Sequence, residues 1–241
     1  MKIFITSGGT KIPIDRVRNI SNMSKGTFGA KIAYELLTLG HEVFFFKAEG
    51  SASPVAVTMD LAHNGWTPKT LQTWYDDRSK LMSRYCQADY SSFDDYAAGL
   101  KKFLTEEEPD VILLAAAVSD YGVENFVDGK VRSRTDDFQI KLKPLPKLIG
   151  KIKQWSPRSK LVGFKLLVDS TEEELITAAR KSISDNGCDM VVANDLSDMR
   201  KGKHSIRLVW PNNDVFTFTS ETDQSNPNYL AHKVAHYASL L

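Results

Sequence analysis

The chain opens on a short apolar run, residues 2–6, and comparable runs return at intervals long enough to hold a helix between them. Residues 42–47, 111–116, 161–167 and 190–193 are almost continuously apolar, as expected of strands buried on both faces of a parallel sheet. Between them a 3.6-residue spacing predicts a helix over 27–39, carrying Phe28, Ile32, Tyr34, Leu36 and Leu37, with Gly40 as its C-terminal cap. Further helices are predicted over 93–104, 146–155 and 171–186. In the last, Ser170 reads as the cap and Glu172, Glu173 and Glu174 fill the positive first turn. Residues 205–210 and 215–219, joined through Pro211-Asn212-Asn213, read as a β-hairpin, and a final helix is expected over 228–240. Residues 48–92 carry the weakest pattern, read as a short strand near 70–74 and a helix around 76–86. Residues 122–142, rich in Gly, Asp, Arg and Lys, read as a loop or flap. Strands alternating with helices predict an α/β fold: a doubly wound, mostly parallel Rossmann-like sheet with helices on both faces and a C-terminal β-hairpin. One domain over 1–241 suits this length.

The first strand runs straight into SGGTKIPIDRVRNISNMSKGTFG. Paired glycines after a strand let a backbone approach an anion, and the free N–H groups of the next helix face it. Gly8 and Gly9 are adjacent and lie about twenty residues before Gly29, whereas a G-x-G-x-x-G dinucleotide turn closes within one βα corner. Such a loop can cover a ligand and bring Asn22, Ser24 and Lys25 with it; the plainer alternative is a Gly-rich connection. Asp120, Lys165 and the pair Asn194-Asp195 also lie on or after predicted strands, where ligands of open α/β sheets bind. Asn194 and Asp195 would serve equally well as turn or capping residues.

Composition narrows the classes. A net charge of +1 and the absence of any long like-charged block beyond Glu106-Glu107-Glu108 give no support to a nucleic-acid or membrane partner. No apolar run reaches the roughly 18 residues of a membrane span. A strand beginning at residue 2 leaves no room for a signal peptide, and Cys86 and Cys188 are isolated without metal-type spacing. A cytoplasmic chain with two reduced thiols is expected.

The run GGTKIPID-x-VR-x-ISN-x-SKG resembles the amino-terminal signature of the phosphopantothenoylcysteine synthetase family, in its stand-alone form. Four later segments match in the same order: AAAVSDY, Lys130 in GKVRSR, PKLIGKIKQWSP with GFKL, and VVANDLSD. The resemblance implies a ligase of coenzyme A biosynthesis that joins 4′-phosphopantothenate to L-cysteine through an acyl nucleotidylate, with CTP or ATP as co-substrate and Mg²⁺. It implies Asn22 and Lys130 as catalytic residues. Gly8, Gly9, Thr10, Ser24, Gly26, Ala115, Ala116, Asp120, Pro146, Lys147, Leu148, Phe164 and Lys165 would surround the nucleotide. Arg18 and Lys25, with Asn22, are candidates to bind substrate; the Mg²⁺ ligands stay unknown. A homodimer is implied, and no flavin is expected. Where bifunctional relatives carry two nucleotide-contacting lysines, this chain has Ser182 and Asn186, with Lys181 one step out of register. Leu167 stands where relatives carry a glutamate. The nucleotide therefore stays open between CTP and ATP.

Two other readings remain. Tyr229-x-x-x-Lys233 formally fits the pair of a nicotinamide-dependent reductase, and Glu49 could bind a ribose hydroxyl, but the dinucleotide turn is missing. A non-catalytic nucleotide-binding domain would need none of Asn22, Asp120 and Lys130.

Overall fold

The computed structural model describes residues 1–54, 68–132, 138–200, 202–223 and 225–241. Strand β1 (Lys2–Ser7) stands near the middle of the main sheet, with parallel neighbours β4 (Glu42–Ala48) and β6 (Val111–Leu114). Beyond β4 lies β5 (Tyr85–Tyr90), and beyond β6 lie β9 (Lys160–Leu167) and β10 (Met190–Asp195), all parallel. Strands β11 (Ser205–Val209) and β12 (Val215–Thr219) complete the sheet in antiparallel pairing. Among the described residues the order is β12-β11-β10-β9-β6-β1-β4-β5. The chain turns to opposite sides of β1 for β4 and β6, so the topological switch point of the sheet lies between β1 and β6.

Period-two burial divides the core into two layers. On one face Ile3, Ile5, Val43, Phe45, Leu113 and Val192 meet α1 (Thr27–Thr38) and α7 (Tyr229–Ala238). On the other, Phe4, Phe46, Ile112, Leu161 and Val191 meet α3 (Phe93–Glu107), α4 (Ile152–Trp155) and α5 (Glu172–Asn186). Leu36 and Leu100 are fully buried in these layers, and truncating either to Ala would cost about 2–5 kcal/mol. Helix α7 also meets α1 through polar groups. Glu35, 8% exposed, accepts from Asn228 Nδ2 at 3.2 Å and pairs with His232 Nδ1 at 3.0 Å.

Several sequence expectations need correction. The strand expected near 70–74 lies inside helix α2 (Pro68–Met82), where Gln72 Nε2 donates to Asp76 Oδ1 at 2.9 Å across one turn. The helix expected around 76–86 ends at Met82, and Tyr85–Tyr90 is instead the edge strand β5. Its mixed polarity reflects that edge, since Cys86, Gln87 and Asp89 are exposed. Residues 55–67 of that poorly patterned stretch lie outside the described ones. Strand β6 stops at Leu114, two residues early. The helix expected from 146 begins as a 3₁₀ turn at Ile149 (Ile149–Lys151) before α4, leaving Pro146, Lys147 and Leu148 in the preceding loop. Thr171, not Ser170, caps α5, in a reciprocal box with Glu174; the Ser170 hydroxyl goes to Asp195. Gly40 does stand just past α1, at φ 93°.

Three short pieces were not anticipated. The long loop after β1 folds into a small hairpin, β2 (Lys11–Pro13) with β3 (Asn19–Ser21). The flap is framed by β7 (Tyr121–Val123) paired with β8 (Leu142–Pro144); residues 133–137 between them lie outside the described ones. Helix α6 (Leu196–Arg200) follows β10.

Candidate active site

Gly8 leaves β1 at φ 86°, a left-handed conformation that L side chains rarely adopt, and a Cβ there would stand 2.7 Å from Ala48 Cβ. That contact lets the β1 turn lie against the end of β4. Gly26 (φ 71°) precedes α1, and no side chain caps the helix. The first turn of α1 carries no acidic residue, so its N–H groups and the positive end of its dipole remain available to an anion. Gly26 N–H meets Ser24 Oγ at a long 3.4 Å, and Ser7 Oγ donates to Gly26 O at 3.0 Å.

Between this helix start, the β2–β3 hairpin and the end of β4 lies an open cavity of about 520 Å³. Gly9, Asn22, Ser24 and Lys25, all named from the sequence, line it. Lys11 and Glu49 also line it and form a loose ion pair at 3.7 Å. Thr27 and Ser51 contribute hydroxyl-bearing side chains. Sequence reasoning did not assign Lys11, Thr27 or Ser51. Thr27 follows the matched run by one residue, and Ser51 follows β4 much as Gly8 follows β1, which was the available signal.

The loops after β1 and β6 are stitched together. Ala117 N–H donates to Gly8 O at 2.8 Å, Thr10 N–H reaches Ala117 O at 3.3 Å, and Ser119 N–H donates to Thr10 Oγ1 at 2.9 Å. Asn22 Nδ2 donates to the same Ala117 carbonyl at 2.9 Å. Buried Thr10 therefore works as a strut between the two loops. Ala116 N–H bonds Thr6 Oγ1 at 3.3 Å. Ala115 and Phe164 each lie two residues beyond the Leu113–Val162 pair, toward the carboxyl edge. Phe164 is half-buried against the α1-side core, with Lys165 beside it on β9. Asp120 is ion-paired with Lys147, and its carbonyl accepts from Leu145 N–H at 2.9 Å. Two more predicted residues thus meet, although neither lines the cavity. Leu148 packs on the opposite core layer.

Arg18 is engaged: Nε and NH2 face Asp15 Oδ2 at 3.0 and 2.8 Å, and NH2 also donates to Val131 O at 2.6 Å. Lys130 is exposed on the neighbouring flap and does not line the cavity. Asp195 is structural: it accepts from Ser170 N–H and Oγ and from Ser197 N–H, and these bonds hold its carboxyl far below the usual range despite burial. Ser182 and Asn186 bond one another, Asn186 Nδ2 to Ser182 O at 3.0 Å. Lys233 Nζ sits over the rings of Tyr229 and Phe218, at 5.2 and 5.4 Å. The Tyr229-x-x-x-Lys233 pair is thus a cation–π contact on α7, which packs on α1, β11 and β12. Among the described residues no group of three His, Cys, Asp or Glu side chains could hold a metal, and no helix is long and apolar enough to cross a membrane.

Fold and cleft together define a doubly wound α/β protein with an open cavity at the carboxyl ends of β1 and β4, walled by the first turn of α1 and by two lysines. The chain belongs to the family described as DNA/pantothenate metabolism flavoprotein C-terminal domain, matched over residues 1–63 and 95–237. It is 32% identical over 208 residues to the coenzyme A biosynthesis bifunctional protein CoaBC of Thermococcus kodakarensis, covering 86% of this chain and 44% of that protein. The chain thus spans less than half of that relative's length. It is 27% identical to the human phosphopantothenate–cysteine ligase, covering 80% of this chain and 72% of the relative. Among solved structures, the DNA/pantothenate metabolism flavoprotein of Streptococcus pneumoniae aligns with a TM-score of 0.77 and 26% identity, over 100% of this chain and 99% of that one. The Cab2 H337A variant in complex with phosphopantothenate-cysteine shares the fold at a TM-score of 0.78 and 22% identity, covering 99% and 85%.

Proposed function

We propose that this chain is a ligase domain that joins 4′-phosphopantothenate to L-cysteine at the expense of CTP or ATP. The observation that carries this reading is the cavity at the uncapped start of α1. Its wall combines a glycine turn, two lysines and an amide whose nitrogen is fixed on Ala117 O. The matched family and the activity named for its human relative support the substrates.

A carboxylate is a poor electrophile. In the first step the phosphopantothenate carboxylate attacks the α-phosphorus of the nucleotide, the bond to the bridging oxygen breaks, and pyrophosphate departs. In the second, the neutral cysteine amine attacks the acyl carbon and sheds one N–H proton to solvent, and the nucleoside monophosphate leaves with the electron pair of the acyl–oxygen bond. Charge builds on phosphate oxygens in step one and on the acyl oxygen in step two, so the protein's contribution is mainly electrostatic. The Gly8–Thr10 turn and the α1 N-terminus would hold phosphate oxygens. Lys130 would face the triphosphate. Asn22, with its Nδ2 held by Ala117, would present its remaining N–H and its oxygen to the acyl nucleotidylate. Lys25 would meet the phosphate of phosphopantothenate; Arg18, already bonded to Asp15, would act from a fixed position. Asp120 and Lys147 with Pro146 and Leu148, and Phe164 with Ala115, Ala116 and Lys165, would border the nucleoside.

The described residues do not fit a cage for Mg²⁺, since they present no three-donor cluster. Such an ion is ordinarily carried by the phosphates themselves, and no step above runs through it. A homodimer, a cytoplasmic setting and one domain over 1–241 complete the proposal.

The test is pyrophosphate release with phosphopantothenate, cysteine and Mg²⁺, supplying ATP and CTP in parallel. Release that depends on phosphopantothenate, with formation of the cysteine amide, is expected, and the faster nucleotide is the natural one. Folded protein that releases none from either would overturn the ligase.

A further inference from the structure

Building on the ligase reading, we propose that Asp15 is the positioning residue that fixes the Lys130 flap against the substrate loop. Asp15 lies within the β2–β3 hairpin and is 2% exposed. Its two carboxylate oxygens do different work. Oδ1 accepts the backbone N–H groups of Val17 (2.9 Å) and Arg18 (2.8 Å), which shapes the local turn. Oδ2 accepts Arg18 Nε (3.0 Å) and the backbone N–H of Val131 (3.1 Å), 116 residues away. A turn needs only the first oxygen. The second joins the loop after β1 to the flap.

The surrounding backbone reinforces this joint. Val127 N–H donates to Ile14 O at 3.1 Å, and Arg16 N–H donates to Gly129 O at 3.0 Å. Arg16 Nε pairs with Asp128 Oδ1 at 2.7 Å, and Arg18 NH2 grips the Val131 carbonyl. Lys130 is therefore flanked by two residues whose backbone is bonded to the 14–18 segment, while its own side chain reaches outward. Only an ionised carboxylate suits the position. Three N–H donors of backbone origin and the Arg18 guanidinium converge on it, and an amide would turn its own NH₂ toward one set of them. The carboxyl's titration agrees: burial pushes it up, but these donors outweigh burial and hold it at about 2. Geometry of this kind matters because displacing a charge-stabilising group by about 1 Å can cost up to about 100-fold in rate.

The experiment compares the wild type with Asp15→Asn, Lys130→Gln and the double variant in pyrophosphate release from phosphopantothenate, nucleotide and Mg²⁺. Asp15→Asn keeps a carbonyl oxygen for the Val17–Arg18 turn and sets an amide against Val131 and Arg18. It should slow release by about 10- to 100-fold with nucleotide KM unchanged. The double variant should be no slower than Lys130→Gln alone, because Asp15 acts through Lys130. Multiplying losses would overturn the proposal, as would wild-type release by Lys130→Gln, which would leave Asp15 nothing to position. Val131→Pro deletes the flap donor while sparing Asp15 and Arg18, and should reproduce the Asp15→Asn kinetics even where that variant folds poorly.

Limited trypsin digestion separates this idea from the ligase reading. Cleavage after Lys130 should accelerate in Asp15→Asn at temperatures well below that variant's own melting midpoint, where its folded state prevails. Unchanged cleavage overturns the joint whatever the activity. A wild-type enzyme that releases no pyrophosphate overturns the ligase, and with it the catalytic meaning of the joint.

Discussion

Asn22 and Ala117 are 95 residues apart in the chain, yet Asn22 Nδ2 donates to Ala117 O at 2.9 Å. The bond crosses from the loop after β1 to the loop after β6, and Thr10 N–H shares the same carbonyl. It orients the amide within the cavity wall, with its oxygen and second N–H not engaged among the described residues.

Asn22→Asp replaces that donor with an anion facing a carbonyl. Nucleotide binding, read by calorimetry, should change little, whereas amide formation should fall by about 100-fold or more, in the range for losing one oriented donor. Equal losses in both would move Asn22 from the intermediate to the nucleotide.

Lys130→Gln keeps a hydrogen-bonding tip, one atom closer to the backbone, but removes the charge. Pyrophosphate release should slow by about 100-fold or more. A rate within the error of the wild type would strike Lys130 from the catalytic set.

Gly8→Ala and Gly40→Ala make a paired test of the turn against β4. Both residues have positive φ, 86° and 93°, but a Cβ at Gly40 meets nothing within 4 Å while one at Gly8 collides with Ala48 and Ser51. Urea denaturation should show a loss of about 1 kcal/mol for Gly40→Ala, from conformation alone, and a larger loss for Gly8→Ala. Similar losses would mean that the β1–β4 approach is looser than the geometry shows.

Asp15 gives a signed pH dependence. Its carboxyl is lowered from the ordinary 3.8 to about 2 in the folded state. The stability it adds is present above pH ~4 and fades as pH falls toward ~2, where the folded state too becomes protonated. Asp15→Asn should therefore be less stable than wild type at neutral pH and lose less on acidification through that window. Parallel melting curves for the two proteins from pH 5 to 2 would contradict this.

The two thiols should react differently. Cys188 is buried, and burial raises its thiol to about 11, whereas Cys86 is exposed on the edge strand. Iodoacetamide at pH 8 should label Cys86 first, leaving Cys188 until the protein unfolds. Equal labelling rates under native conditions would show that the α5–β9 packing around Cys188 opens readily.

What was legible in the sequence follows burial. Strands β1, β4, β6, β9 and β10 lie inside the sheet and read as near-continuous apolar runs, so their positions along the chain and mostly parallel sense could be inferred, though not their order across the sheet. Edge strand β5 alternates exposed Gln87 and Asp89 with half-buried Ala88 and buried Tyr90, and its period was lost beside the helical pattern of α2. At the site, Gly9, Asn22, Ser24 and Lys25 share one loop and line one cavity. The Asp120–Lys147 pair and the Asp15–Val131 bond join residues remote in sequence, and no local periodicity encodes them. Asp15 stood in view inside GGTKIPID, but a buried carboxylate and a turn residue look the same in one dimension.

The Glu35 carboxylate ties the timing of synthesis to the cleft. Its side-chain partners, Asn228 and His232, lie 193 and 197 residues further on. As the ribosome delivers the chain, α1 can coil early, but Leu36 and Leu37 have no α7 to pack against and Glu35 has no donor. The helix whose first turn walls the cavity is thus completed only when the last helix arrives. A nascent chain released short of Tyr229 would have its glycine turn, its flap and the sheet beneath α1, but not the α7 face that closes over that helix.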